Sequence, residues 1–411
     1  MNALKVPPTA SDFVSRASNQ NDLLAWMEQQ HHVLGPTFQS RAYGARVYVT
    51  SEPQFVEHVL RRNWQNYRKG RAIKRIQLLL GKGLMVSEGE LWKRQRRMIQ
   101  PAFHEKAIDR LTDLITEGNE ALLSRWSEAA ERRETVNITR DISLAILDII
   151  MKAIFGKDYN QVRESFNIVS EESARDLHFA QDFRALGQLI SELAAQRRRD
   201  NDDASDLLGL LLRARDRDTG AGMSDGQLID ETLTLVIAGH ETTASTLNWT
   251  WYVLSQNPAI ADRLRREAGN VDDLRHLTYA RQIIEEVMRL YPAGWLMTRQ
   301  AKGDDTLGDF YVPAKTEIYI SPYIIQRRAD LWSHPNQFDP DRLPANGLAH
   351  LPFSAGPRNC IGEHLARWEM LIHLWIIAKK LRLCYQGDQP EYDLGVNLRT
   401  KHDLWMLPQL V

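Results

Sequence analysis

Cys360 is the residue in this chain best placed for chemistry. It lies in the stretch Phe353-Ser354-Ala355-Gly356-Pro357-Arg358-Asn359-Cys360-Ile361-Gly362, which leaves a turn-rich segment and runs into an amphipathic helix expected over roughly Ile361 to Lys380. A cysteine at a helix N-terminus meets the positive end of the helix dipole, which favours the thiolate. Gly356 allows the backbone to bend closely around the sulfur, where N–H groups can point at it. Arg358 adds a fixed positive charge two residues away. A thiolate held this way can be a nucleophile, a redox centre or a metal ligand. A lone cysteine is more commonly a small buried hydrophobe. The pattern Phe-x-x-Gly-x-Arg-x-Cys-x-Gly fixes five residues, however, and arises by chance in roughly one chain of this length in ten thousand.

A second constellation is Ala238-Gly239-His240-Glu241-Thr242-Thr243. It sits in the middle of a helix that opens at the capping box Ser224-Asp225-Gly226-Gln227 and runs to about Gln256, where Pro258 stops it. Thirty-odd helical residues span roughly 45–50 Å. Glycine and paired threonines cost about 0.5–1 kcal/mol each in a helix interior, and a local rule broken inside an element often marks function. Gly239 permits close approach to the backbone. The Thr242 hydroxyl can interrupt the helical ladder and hold a water, and Glu241 puts a carboxyl beside it for proton delivery. The plainer alternative is a Gly/Thr kink that serves helix packing. His240 is expected to pack or hydrogen-bond rather than to ligate.

Three further clusters complete the set. Trp92 and Arg96 are four apart on one helical face, in Trp92-Lys93-Arg94-Gln95-Arg96-Arg97. Alone, this segment reads as a solvated basic helix. Glu286 and Arg289 are three apart on a helix expected from a Thr278 cap to Leu290, ended by Pro292. Arg299 follows the apolar run Trp295-Leu296-Met297.

Together these motifs resemble the cytochrome P-450 superfamily, haem-thiolate monooxygenases, and the soluble bacterial type among them. The resemblance covers nearly the whole chain, with five motifs in the family's order. It implies haem b (iron protoporphyrin IX) with Cys360 as the axial metal ligand, in a loop shaped by Phe353, Gly356 and Gly362. It makes Trp92, Arg96, Arg299 and Arg358 partners of the haem propionates, and places Ala238 and Gly239 over the haem face. Glu241 and Thr242 become the acid–alcohol pair that delivers protons during dioxygen activation. Glu286 and Arg289 become a buried structural pair completed by Arg342 in Phe338-Asp339-Pro340-Asp341-Arg342. Ala238, Trp295, Leu296 and Leu398 are then expected to line a substrate pocket. Two positions depart from the pattern: Gln326-Arg327 stands where many members have His-Arg, and Leu343 stands where Phe is usual.

The remaining elements follow from local pattern. A helix is expected at Asp22–His31 and a hairpin from Thr37–Gln39 and Arg46–Thr50. A helix capped near Ser51, with Pro53 in its first turn, should run to Leu60. Residues 66–89 read as irregular. Helical periodicity holds from Ala107 to Leu212, with breaks near Gly156–Asn160 and Asn201–Asp203; the polar stretch Ser170–Arg184, carrying Phe179 and Phe183, is a candidate substrate lid. Strands are expected from Thr306 to Tyr323 and near Val396–Leu398 and Leu404–Leu407. The expected fold is mainly α with a smaller β region, a single haem domain over 1–411 with a long central helix over the haem.

The chain has 411 residues, 43% hydrophobic and 26% charged, with a formal net charge of −1. No nucleic-acid partner is implied by that charge, and no apolar run is long enough for a membrane span. Two cysteines, Cys360 and Cys384, exclude a disulfide framework and suit a reducing cytoplasm. The family's reaction inserts one atom of O2 into a lipophilic substrate. Too little chain follows Cys360 for a fused reductase, so electrons are expected from a ferredoxin or flavodoxin-type donor docking at Lys93, Arg94 and Arg97. Leu290-Tyr291-Pro292-Ala293-Gly294-Trp295 and Ser321-Pro322-Tyr323 resemble members that hydroxylate long lipophiles such as carotenoids, in secondary metabolism. An H2O2-driven peroxygenase and a haem sensor or carrier without turnover stay open as alternatives; an intact Glu241–Thr242 relay favours O2.

Overall fold

The computed structural model describes residues 5–10, 20–42, 44–166, 180–342 and 347–411. The chain forms two compact units, each assembled from separated segments.

Unit 1 comprises Met1–Ile73, Glu285–Cys360 and Pro390–Lys401. Its sheet contains β1 (Thr37–Ala42), β2 (Ala45–Thr50), β3 (Tyr67–Lys69), β5 (Met297–Ala301) and β8 (Glu317–Ile320), in the order β1-β2-β8-β5-β3. The β1–β2 hairpin pairs Thr37 with Thr50 and Ala42 with Ala45. Arg299 pairs with Ile318 on one side and with Lys69 on the other. Two small hairpins flank the sheet in sequence, β6 (Asp305–Leu307) with β7 (Phe310–Val312), and β10 (Tyr392–Leu394) with β11 (Leu398–Thr400). The hydrophobic core of the unit joins Tyr48, Val59, Leu60, Ile318 and Ile320 to Leu351 and Ala355, which lead into the Cys360 loop.

Unit 2 comprises Lys74–Ile284, Ile361–Gln389 and His402–Val411 and is mostly helical. A three-stranded sheet, β4 (Val136–Asn137), β12 (Trp405–Leu410) and β9 (Leu381–Cys384), runs in the order β4-β12-β9. The central helix spans Asp225–Gln256, and Pro258 opens the helix that follows it. Ser224 Oγ accepts the Gln227 amide at 3.3 Å. The reciprocal half of the capping box is not made, because Gln227 Oε1 accepts instead from Arg94 at 2.9 Å. Residues 138–155 form a helix packed along the central one, and Glu363–Ala378 packs on Thr112–Arg132. Among the described residues, no helix is long and apolar enough to cross a membrane.

Several expectations need correction. Residues 66–89 are not irregular: they hold β3, the helix Ile73–Leu80 and the start of the helix Gly89–Ile99. The helix opening at Pro53 ends at Glu57 and continues as a π-helix, His58–Arg62. Ser51 does not cap it; the Ser51 hydroxyl meets His31 and the Pro36 carbonyl instead. The helix Thr278–Leu290 is capped from outside by Glu267, whose carboxylate accepts the amides of Tyr279 (2.7 Å) and Ala280 (2.9 Å). Most of Ser170–Arg184, with Phe179, lies outside the described residues, as does Leu343.

Candidate active site

The Cys360 loop is held by its own backbone. The Ser354 amide bonds to the Leu351 carbonyl (3.3 Å), that of Asn359 to Gly356 (3.1 Å) and that of Cys360 to Phe353 (2.9 Å). Gly356–Arg358 is one 3-10 turn, with Pro357 in it. The Cys360 side chain is exposed. The helix beyond it starts at Glu363, with Gly362 as N-cap, and ends at Ala378. Cys360 thus stands two residues before the cap rather than in the first turn. Gly356 has φ +74°, and a Cβ there would collide with the Leu60 carbonyl oxygen. Its absent side chain therefore serves a backbone contact with the π-helix, where the sequence had suggested room around the sulfur. Ser354, with φ +64°, is also left-handed, and its buried hydroxyl has no partner.

On the central helix, residues 231–236, 240 and 243–251 are buried, whereas Ala238 is exposed and Gly239, Glu241 and Thr242 are half-buried. The helix thus opens a single polar notch within an otherwise enclosed run. It is not interrupted there: Thr242 Oγ1 donates to the Ala238 carbonyl at 3.0 Å. Thr232, Thr234, Thr246 and Thr250 make the same bond four residues back. Threonine is tolerated in this helix because each hydroxyl finds a carbonyl of the preceding turn. The expected break at Thr242 is therefore absent, and the hydroxyl keeps its lone pairs for an outside donor. Gly239 packs close to Ile150, 3.1 Å from a would-be Cβ. His240 Nε2 meets Ser143 Oγ at 2.8 Å and the Ser143 carbonyl at 3.0 Å. Burial pushes the imidazole down to about 4, so it is neutral and ties the notch to the helix Ile138–Phe155.

Trp92 is buried and Arg96 half-buried on Gly89–Ile99. The basic residues between and after them are not bare. Lys93 pairs with Glu90 (2.7 Å), Arg94 donates to Gln227, and Arg97 pairs with Asp218 (2.8 Å) and Asp216 (3.7 Å). Of the docking surface expected at Lys93, Arg94 and Arg97, Lys93 and Arg97 are thus ion-paired within the chain, while Arg94 meets a neutral amide.

In unit 1, Arg289 is buried and fully bonded. Its fork grips both oxygens of Glu286 (2.7 and 2.8 Å) and reaches the carbonyls of Gln326, Pro335 and Gln337. Arg342 Nε reaches Glu286 Oε1 at 3.1 Å. Gln326 does what a neutral histidine could not, since it both donates twice and accepts once. Its Nε2 bonds to the carbonyls of Met288 (3.1 Å) and Arg289 (2.8 Å), and its Oε1 accepts the Leu351 amide (2.8 Å). The departure from His-Arg thus stitches the ion-pair helix to the start of the Cys360 loop. Arg299 is half-buried on β5, with Nη1 on the Thr298 carbonyl (2.9 Å), and Arg358 is half-buried on the 3-10 turn.

The residues expected to line a pocket differ in exposure. Trp295 is buried with its indole N–H toward the Gly395 carbonyl (3.4 Å), and Leu398 is fully buried with its amide on the Ala293 carbonyl (2.9 Å). The β10–β11 hairpin, which carries Leu398, thus meets the segment Ala293–Trp295 within unit 1. Leu296 is half-buried and Ala238 exposed. Asp305, which bonds the π-helix, and Glu369, buried on the helix after Cys360, were missed: an Asp opening a short strand and a Glu in a helix carry no local signal.

Among the described residues, no three His, Cys, Asp or Glu side chains gather as a metal set. The exposed Cys360 thiol fits a haem, whose macrocycle would supply ligands that the protein does not.

The cytochrome P450 family profile matches residues 13–178 and 166–401.

The chain belongs to the cytochrome P450 family.

It is 31% identical, over 85% of its length and 83% of the relative's, to a cyclooctat-9-en-7-ol 5-monooxygenase of Streptomyces melanosporofaciens. It is 27% identical, over 93% of its length and 80% of the relative's, to a chloroplastic carotene epsilon-monooxygenase of Arabidopsis thaliana. The crystal structure of the cytochrome P450DA haem domain superposes with a TM-score of 0.87 at 22% identity, covering 100% of this chain and 99% of that one. This cytochrome P450 is a monooxygenase with the family's mainly α fold, and its cofactor is haem.

Proposed function

We propose that this P450 hydroxylates, or otherwise oxidises by one oxygen atom, a lipophilic isoprenoid-like substrate in secondary metabolism, with electrons from a separate ferredoxin or flavodoxin-type protein. The observation that carries the reading is the exposed Cys360 thiol on a backbone-pinned loop, with no other metal-ligating cluster among the described residues. The names of the bacterial and plant relatives support the substrate class.

Bound haem, with a thiolate ligand, supplies the reductive activation of O2. The overall reaction consumes the substrate, O2, two electrons and two protons, and yields the oxygenated product and water. Cys360 would hold the haem iron through its thiolate, in a loop shaped by Phe353, Gly356 and Gly362. Trp92, Arg96, Arg299 and Arg358 are the proposed propionate partners; guanidinium forks match carboxylates. Ala238 and Gly239 are the proposed haem-face residues of the central helix, and the exposed Ala238 and the half-buried Leu296 are each proposed substrate contacts. Thr242 accepts a hydrogen bond from water through its free lone pairs, while its own proton rests on the Ala238 carbonyl. Glu241, next to it and half-buried, exchanges protons with solvent. Glu286, Arg289 and Arg342 are structural. We treat 1–411 as one haem domain, because neither unit is continuous in sequence.

The test is the ferrous–CO spectrum of the purified protein beside Cys360→Ala, followed by O2 uptake with a surrogate ferredoxin and its reductase. A red-shifted Soret band that the mutant lacks, with NADPH-coupled O2 uptake that Thr242→Ala diverts to H2O2, is the expected result. Turnover with H2O2 alone would favour the peroxygenase alternative, and an unshifted band would overturn thiolate ligation.

A further inference from the structure

The Cys360 loop rests on a backbone irregularity. His58–Arg62 is a π-helix, closed by the Asn63 amide on the His58 carbonyl at 2.8 Å. Single π turns are rare and recur at functional sites. The 3-10 turn Gly356–Arg358 packs against this one, and Gly356 approaches the Leu60 carbonyl so closely that no Cβ fits between them. Val59 and Leu60 share the unit's core with Leu351 and Ala355. The position of the π turn therefore sets the position of the segment four residues before the thiol.

One carboxylate oxygen holds the π turn. Asp305 Oδ2 accepts from Tyr67 Oη (2.6 Å), His58 Nε2 (2.8 Å) and Asn63 Nδ2 (3.0 Å). His58 is the first residue of the turn and Asn63 its cap, so both ends are fastened to one atom. Oδ1 accepts the Thr306 amide at 2.8 Å, which anchors the carboxylate to its own strand. Burial pushes the Asp305 carboxyl up, but the bonds from Tyr67, His58 and the Thr306 amide outweigh it and hold the group ionised below its ordinary range. Charge-assisted bonds of this kind are among the stronger ones in a protein.

We propose that Asp305, acting through His58 and Asn63 on the π turn that seats Gly356, is a positioning residue for the Cys360 thiolate. The inference rests on the reading of Cys360 as the haem ligand. Asp304 is its internal control: it lies beside Asp305 but bonds Tyr311 Oη (2.6 Å) and the Ala314 amide (2.8 Å), away from the π turn.

The experiment follows the thiolate-ligated fraction of the ferrous–CO holoprotein at a temperature below the far-ultraviolet unfolding transition. His58→Leu, which loses one bond to Asp305, is expected to lose the red-shifted band about tenfold faster than wild type, the size expected for one charge-assisted bond, and Asp305→Ala, which loses all three, at least as fast. Asp304→Ala should stay within about twofold. His58→Gln, which keeps a donor, should restore most of the wild-type rate. A merely structural node would lower the unfolding temperature and leave the band stable beneath it. Equal rates for Asp305→Ala and Asp304→Ala would overturn the proposal. Should Asp305→Ala yield no folded holoprotein, equal rates for His58→Leu, His58→Gln and wild type would overturn it. Absence of the red-shifted band from wild type would instead remove the haem-ligand reading on which all the variants depend.

Discussion

Glu369→Gln should make this P450 more stable, and increasingly so as pH rises. Glu369 lies on Glu363–Ala378 with 3% of its surface exposed. Burial pushes its carboxyl up to about 8 from an ordinary value of 4.5. Between those two values the unfolded chain has released a proton that the folded chain keeps. Stability is therefore greatest below about 4.5 and falls as pH rises toward 8. At about 1.36 kcal/mol per pH unit, the loss is of the order of 3 kcal/mol at pH 7 and 4–5 kcal/mol above pH 8. Glutamine is nearly isosteric and never ionises, so the variant escapes this loss. Denaturant unfolding of both holoproteins at pH 5, 7 and 8 tests it. The variant should lead by about 1 kcal/mol at pH 5 and by roughly 3 kcal/mol at pH 7. Titration of the other buried groups, such as His373, is common to both and cancels in the difference. A difference that stays flat from pH 5 to 8 would refute the reasoning, by showing that Glu369 ionises as readily folded as unfolded.

Two further substitutions probe the Cys360 loop. Ser354→Gly relieves a left-handed residue and removes a buried hydroxyl that has no partner; we expect a gain of about 1 kcal/mol in unfolding free energy, and a loss would reveal a role for the hydroxyl. Gln326→Leu orphans two carbonyls and one amide and should cost about 3–6 kcal/mol, whereas Gln326→His can keep two of the three bonds and should cost about 1–2 kcal/mol; equal costs in parallel denaturant titrations would contradict the bonding described.

What was legible in the sequence was local. Ser224 caps the central helix and Pro258 follows its end because capping and proline geometry act within a few residues. The β1–β2 hairpin follows from alternation around a glycine turn, and the Glu286–Arg289 pair follows from helical spacing. The Cys360 stretch identified the cofactor class because five side-chain types at fixed spacing are rare by chance.

What the sequence hid was long-range. Tyr67 and Asp305 are 238 positions apart, and Leu84 and Glu231 are 147 apart. A short polar side chain at a strand end reads the same whether it faces solvent or collects three donors. The π turn at His58 has no signature of its own, since its extra residue is accommodated by contacts with Asp305 and Gly356. Trp295 and Gly395 are 100 positions apart, and only the fold brings the indole N–H toward that carbonyl. Motif chemistry was thus written in the order of the residues. The seat of the thiolate loop and the pairing of Arg97 with Asp218 were set only once distant segments met, because hydrogen bonds and burial depend on proximity in space rather than along the chain.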